Sequence, residues 1–117
     1  MSITLENIAF DCTDAAALAT FWAGVLSVPV DADSNEFFAT VNRAADTPTL
    51  MFLQVPEPRT AKNRLHLDLA TADLSTEVAR LIDLGAKHHS DHNEYGVHWI
   101  TLVDPEGNLF DLADHSA

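Results

Sequence analysis

The chain has 117 residues, 47% apolar and 21% charged, which suits one folded domain over 1–117 and excludes a disordered chain. Eighteen Asp and Glu against six Lys and Arg give a formal net charge of -12. Nucleic-acid binders displace counterions with a basic face, so nucleic acid is excluded as a partner and an anionic membrane surface is disfavoured.

The first residues, MSITLENIAF, lack a basic stretch followed by an apolar run, and no apolar run approaches the roughly 20 residues of a spanning helix. A soluble, cytoplasmic protein is expected. Ile3–Cys12 alternates as a strand, with Ile8, Phe10 and Cys12 on one face and Asn7, Ala9 and Asp11 on the other. Cys12 is the only cysteine, so no internal disulfide can form, and its place among apolar residues predicts a buried thiol. Asp14 can cap a helix to about Leu26, in which Leu18, Phe21, Trp22 and Val25 form one stripe. Val28–Asp31, Glu36–Asn42 and Thr49–Val55 read as strands. Pro56, Pro58 and the polar run Arg59–Arg64 mark a linker, about 56–64.

After the linker, Leu65–Ala70 reads as a strand, with Leu65, Leu67 and Leu69 on one face and Arg64, His66 and Asp68 on the other. Asp73 caps a helix to about Leu84. Leu74, Val78, Leu81 and Ile82 make its stripe, Glu77 and Arg80 pair along it, and Gly85 ends it. Strands at Ala86–His92, Val97–Val103 and Asn108–Ala113 follow. Asp104-Pro105-Glu106-Gly107 is the turn between the last two. The order is β-α-β-β-β, linker, β-α-β-β-β, and the halves align at an offset that puts Asn7 on His66 and Asp14 on Asp73. The module boundaries are about 1–55 and 65–114. The apolar strand faces should meet their own helices, and the polar faces then predict a wet cavity or ligand site.

FDCTDAAALATFWAGVL, RLHLDLATADLSTEVARLIDLGA and WITLVDPEGNLFDL resemble the module starts and the final hairpin of glyoxalase-like proteins. These belong to the superfamily of vicinal oxygen chelate proteins, with bleomycin-resistance proteins and extradiol dioxygenases. The resemblance covers nearly the whole chain. It implies an α+β fold in which two βαβββ modules form a curved, barrel-like mixed sheet with a central cavity. It also implies a metal site with ligands from the first and last strands of each module. The matching positions are Asn7, Gln54, His66 and Asp111, for a divalent ion such as Mg, Mn, Fe, Ni or Zn. His66 fits fully and Gln54 offers an oxygen. Asp111 is shorter than the usual Glu, and Asn7 is a poor donor. A homodimer is expected on separate grounds, because open sheet edges gain from pairing and two-fold dimers are the commonest assembly.

Three functions follow. In the first, the protein is a small-molecule binder of the sequestering, resistance or carrier type. Its metal site is degenerate, and its cavity is lined by Asn7, Gln54, Arg64, His66, Asp68, Trp99 and Asp111. In the second, it is a metal-dependent lyase, isomerase or dioxygenase. The ion then polarises substrate oxygens, and Asp68 or Asp111 moves a proton. The third is a dimeric interaction module without a ligand. The basic cluster Arg59, Lys62 and Arg64 is a candidate for receiving an anionic ligand group, and Trp22, Phe37 and Phe38 are further candidate walls. His88, His89 and His92 read as a solvated edge. His98, alternating with Ile100 and Leu102, reads as partly buried, and His115 lies in the tail. No phosphate loop, GxSxG, CxxC or HExxH is present.

Overall fold

Asp14 and Asp73 start the two helices as expected. Their carboxylates accept from the Ala17 and Thr76 backbone N–H at 3.1 and 3.3 Å, supplying an acceptor to donors that the first turn cannot satisfy internally. The computed structural model describes residues 5–94 and 96–114; Ile3, the expected start of the first strand, and His115 lie outside them. In chain order the elements are β1 (Asn7–Cys12), α1 (Ala15–Leu26), β2 (Phe38–Val41), β3 (Thr49–Gln54), β4 (Asp68–Thr71), α2 (Leu74–Leu84), β5 (Lys87–Glu94), β6 (Val97–Val103) and β7 (Leu109–Asp114). They fall into two compact units, Met1–Arg59 and Thr60–Ala117, divided inside the linker.

In unit 1 the sheet order is β1-β3-β2, with β3 parallel to β1 and antiparallel to β2. In unit 2 the order is β4-β7-β6-β5, with β7 parallel to β4 and the other pairs antiparallel. Each module thus sends its last strand back beside its first, and the fold is α+β with two βαβββ-like modules. Both sheets are mixed and open.

The expected strand Val28–Asp31 is reduced to a single bridge, Val30 to Val41. Pro29 has no N–H for a ladder. The Asp31 carboxylate is used locally, accepting from the Thr40 hydroxyl at 2.8 Å and the Arg43 backbone at 3.0 Å. The strand expected from Leu65 starts only at Asp68, and Leu65 is 72% exposed rather than on an apolar face.

Unit 1 buries its helix stripe fully: Leu18, Phe21, Trp22 and Val25 are all core. Trp22 meets Phe21 edge-on at 5.4 Å and Phe10 at 5.7 Å, and Phe10 stacks on Phe52 at 5.0 Å. Trp22 is therefore a core residue and not a cavity wall. Phe37 and Phe38 are exposed. Cys12 is buried as expected, its thiol directed at the Leu53 carbonyl. In unit 2, α2 packs on β7 and buries only Leu81 of its stripe, leaving Ile82 exposed. Arg80 donates to Glu77 at 2.7 Å. Gly85 ends α2 at a φ of 124° that a side chain would strain.

The β6–β7 turn is held by one buried carboxylate. Asp104 accepts from the backbone N–H of Glu106 and Asn108 and from the Asn108 amide, each at 2.9 Å. Losing three such bonds exceeds losing one exposed cap. Asp104→Ala is expected to cost about 2–3 kcal/mol in urea unfolding, against about 1 kcal/mol for Asp73→Ala. Equal costs would show that the turn does not depend on this carboxylate.

Candidate functional site

β4 and β7 run parallel in a register that sets Asp68 opposite Asp111, and β6 pairs antiparallel with β7 so that Thr101 is opposite Asp111 too. Partners opposite each other point to one face. Phe110 and Leu112 alternate with Asp111 and are buried, which assigns them to the face toward α2. Asp68, Asp111 and Thr101 thus share the face away from α2. His66, two residues before Asp68, joins them.

These groups hold one another. His66 Nδ1 lies 3.0 Å from Asp68 Oδ1 and 3.8 Å from Asp111 Oδ2. The Thr101 hydroxyl donates to Asp111 Oδ1 at 2.6 Å. The side chain of Asp68 is 72% exposed, that of His66 44% and that of Asp111 24%, so the cluster runs from the surface inward. A carboxylate on Nδ1 favours the tautomer with the proton there, leaving Nε2 as a directed acceptor.

The segment carrying His66 is not itself strand, yet it is fastened. The Asn63 amide donates to the carbonyls of Leu65 at 2.6 Å and Leu109 at 3.1 Å, and its oxygen accepts from Leu109 N–H at 2.9 Å. A side-chain amide here replaces a backbone partner at the start of β7. Asp111 N–H then donates to Leu67 O at 3.0 Å. His66 is caught between these two ties.

Two further positions that the resemblance implies as ligands, Asn7 and Gln54, belong to unit 1. Asn7 is opposite Thr49, whereas Gln54 is opposite Cys12, five residues or about 16 Å along the strands. Gln54 has the alternation of Phe52 and Cys12 but is itself exposed at the strand end, and its amide donates to Thr13 O at 3.1 Å. Asn7 has the other alternation. A ligand set using both does not form within unit 1. The positions there that correspond to Asp68 and Asp111 are Ala9 and Met51, which face each other in register and offer no strong donor.

Arg59, Lys62 and Arg64 are exposed. Trp99 shares the face of Asp111 and stacks on His92, centroids 4.9 Å apart. His88, His89 and His92 belong to the edge strand β5, as expected. His98 is exposed rather than partly buried, because it sits at the β6 end, ahead of the buried part of the strand.

A family model for the glyoxalase-like domain matches residues 7–113. The chain belongs to this family. No curated protein matches it. Similar solved structures include a glyoxalase/bleomycin resistance protein/dioxygenase family enzyme from Burkholderia phytofirmans PsJN, at 16% identity and TM-score 0.78, covering 95% of this chain and 98% of that one. The E126Q mutant of the fosfomycin resistance protein FosX from Listeria monocytogenes, complexed with Mn(II) and 1S,2S-dihydroxypropylphosphonic acid, matches at 14% identity and TM-score 0.77, covering 97% and 91%. TioX from Micromonospora sp. ML1 matches at 17% and 0.62, covering 97% and 99%. At these identities the likeness is one of fold.

A divalent metal is implied for glyoxalase-like domains, and unit 2 supplies a donor set that fits one. His66, Asp68 and Asp111 offer one nitrogen and two carboxylate oxygens, all within 4.8 Å of one another. Asp68 is the third donor of this set within unit 2. Thr101 and Asn63 were not foreseen. A turn closed between Asp104 and Asn108 fixes Thr101 opposite Asp111, so the turn motif held that signal. Asn63 is one polar residue in a polar linker and carried none.

Asn63→Ala is expected to cost about 1–3 kcal/mol by leaving Leu109 unpaired, and to shift or broaden the His66 imidazole signals in NMR while those of His88 stay put. Unchanged His66 signals would show that the tie does not position the ring.

Proposed function

We infer that this glyoxalase-like domain binds a small organic molecule on the face of the second sheet away from α2, through His66, Asp68, Asp111 and Thr101, without an obligatory metal ion. One observation carries the reading: the polar groups are engaged with one another, His66 with Asp68 and Asp111 with Thr101. Groups fixed in this way present directed acceptors at no further ordering cost, as recognition of a ligand's donors requires. Arg64 and Trp99 extend the proposed contact surface. The protein acts as a sequestering, resistance or carrier protein, and we take it to be cytoplasmic and homodimeric, since open sheet edges favour pairing and two-fold dimers are the commonest assembly.

A second reading rests on the three donors within 4.8 Å and on the Mn(II) bound by FosX. His66, Asp68 and Asp111 would then hold a divalent ion, and the protein would be a metal-dependent lyase, isomerase or dioxygenase. The ion would supply Lewis acidity towards substrate oxygens.

Thermal unfolding with Mn²⁺ or with chelator separates the two. Binding to the folded state alone stabilises by about 2.7 kcal/mol at a hundredfold excess over Kd. We expect a midpoint that neither addition moves, in the native chain and in His66→Ala alike. A chelator-sensitive midpoint that His66→Ala abolishes would make the metalloenzyme reading the better one. Light scattering at micromolar concentration is expected to give twice the chain mass; a monomer mass would remove the dimer.

A further inference from the structure

The face that carries Asp111 has a second row, one pleat further on, and its composition is different. Strand pairing puts Ala70 opposite Ala113, Ala113 opposite Trp99, and Trp99 opposite His92. The row thus crosses the whole four-stranded sheet as small, small, aromatic, aromatic. The rings of Trp99 and His92 stack with centroids 4.9 Å apart and planes within 12°. That separation equals the spacing between neighbouring strands, about 4.8 Å. Each ring therefore stands over its own strand, side by side with the other.

The stack is interrupted at β7. One side of the indole is covered by His92. On the other side the next two places in the row hold alanine methyls, and among the described residues no other ring meets Trp99. A planar ring placed on that side at the same spacing would lie above Ala113, with Ala70 beyond it. The parallel row of Asp68, Asp111 and Thr101 runs about 7 Å away along the strands, within reach of a substituent on such a ring. Both of its carboxylates are acceptors.

We propose that the ligand is a planar aromatic molecule with a cationic or N–H donor edge, which stacks on Trp99 above Ala113 and directs that edge at Asp111 and Asp68. The proposal rests on the small-molecule reading and deepens it by naming the ligand class. Ring stacking supplies affinity without reading the ring's identity. The carboxylates select the sign of charge and orient the molecule.

The test uses the full chain and proflavine, a planar cation, followed by fluorescence polarisation. An anionic planar naphthalenesulfonate and the flexible polyamine spermidine are competitors. Ala113→Leu fills the place beside the indole without changing charge, Trp99→Ala removes the stacking surface, and Trp99→Phe keeps a ring. Thermal midpoints establish that each variant is folded. Saturable proflavine binding is expected, weakened at least about tenfold, or ~1.4 kcal/mol, by Ala113→Leu and by Trp99→Ala, and largely kept by Trp99→Phe. Asp111→Asn should also weaken it, and neither competitor should displace it at equal concentration. Absence of saturable binding overturns the proposal. So does binding that Ala113→Leu and Trp99→Ala leave unchanged. If Asp111→Asn and Thr101→Val still weaken that binding, the polar site stands and only the stacking place is wrong. If these also have no effect, the small-molecule site itself fails on this face. Displacement by spermidine would show charge attraction alone and would overturn the stacking claim.

Discussion

The parallel pairing of β4 with β7 is the constraint on which the site depends. A slip of one residue would turn Asp111 to the α2 side and bring Phe110 or Leu112 out in its place, because side chains alternate along a strand. Two ties outside the ladder oppose that slip. Asn63 grips Leu109 by both its amide donor and its oxygen, and Asp104 closes the turn that enters β7. With β7 held between them, Asp68, Asp111 and Thr101 have one arrangement available.

The two modules use one plan for different ends. In each, an aspartate caps a helix and the last strand returns beside the first. Unit 1 puts Phe10, Phe21, Trp22 and Phe52 in contact between sheet and helix. Its positions equivalent to the acidic pair hold Ala9 and Met51. Unit 2 has a helix that buries little beyond Leu81, and it concentrates polar groups on the opposite face. A repeated scaffold thus carries different side chains at equivalent positions, and the fold does not by itself assign a function.

Asp68 adds to the positions that the resemblance implies as ligands. His66 and Asp111 stand where the resemblance implies ligands, and they do approach each other. Within unit 2 the third donor is Asp68. Asp68 opens β4 two residues after His66, and its register with β7 sets it opposite Asp111, whereas in unit 1 Gln54 is opposite Cys12. Counting positions in a strand without its register cannot tell these cases apart.

The helices, the Asp104 turn, the duplicated order and the polar alternation around His66 were all legible in the sequence. Each depends on neighbours within a few residues: a cap and its first turn, a stripe at helical spacing, a proline and glycine in a turn. The loss of the strand at Val28–Asp31 was half legible, since Pro29 is visible but the capture of Asp31 by Thr40 is not. The sequence set His66, Asp68 and Asp111 together as candidates, but the register that brings Asp68 opposite Asp111 belongs to the tertiary structure. The short Asp104 turn fixes Thr101 opposite Asp111 locally, but β4 and β7 are more than 30 residues apart, side chains such as Asn63 help to set their register, and no local pattern encodes which residue of one will stand opposite which residue of the other.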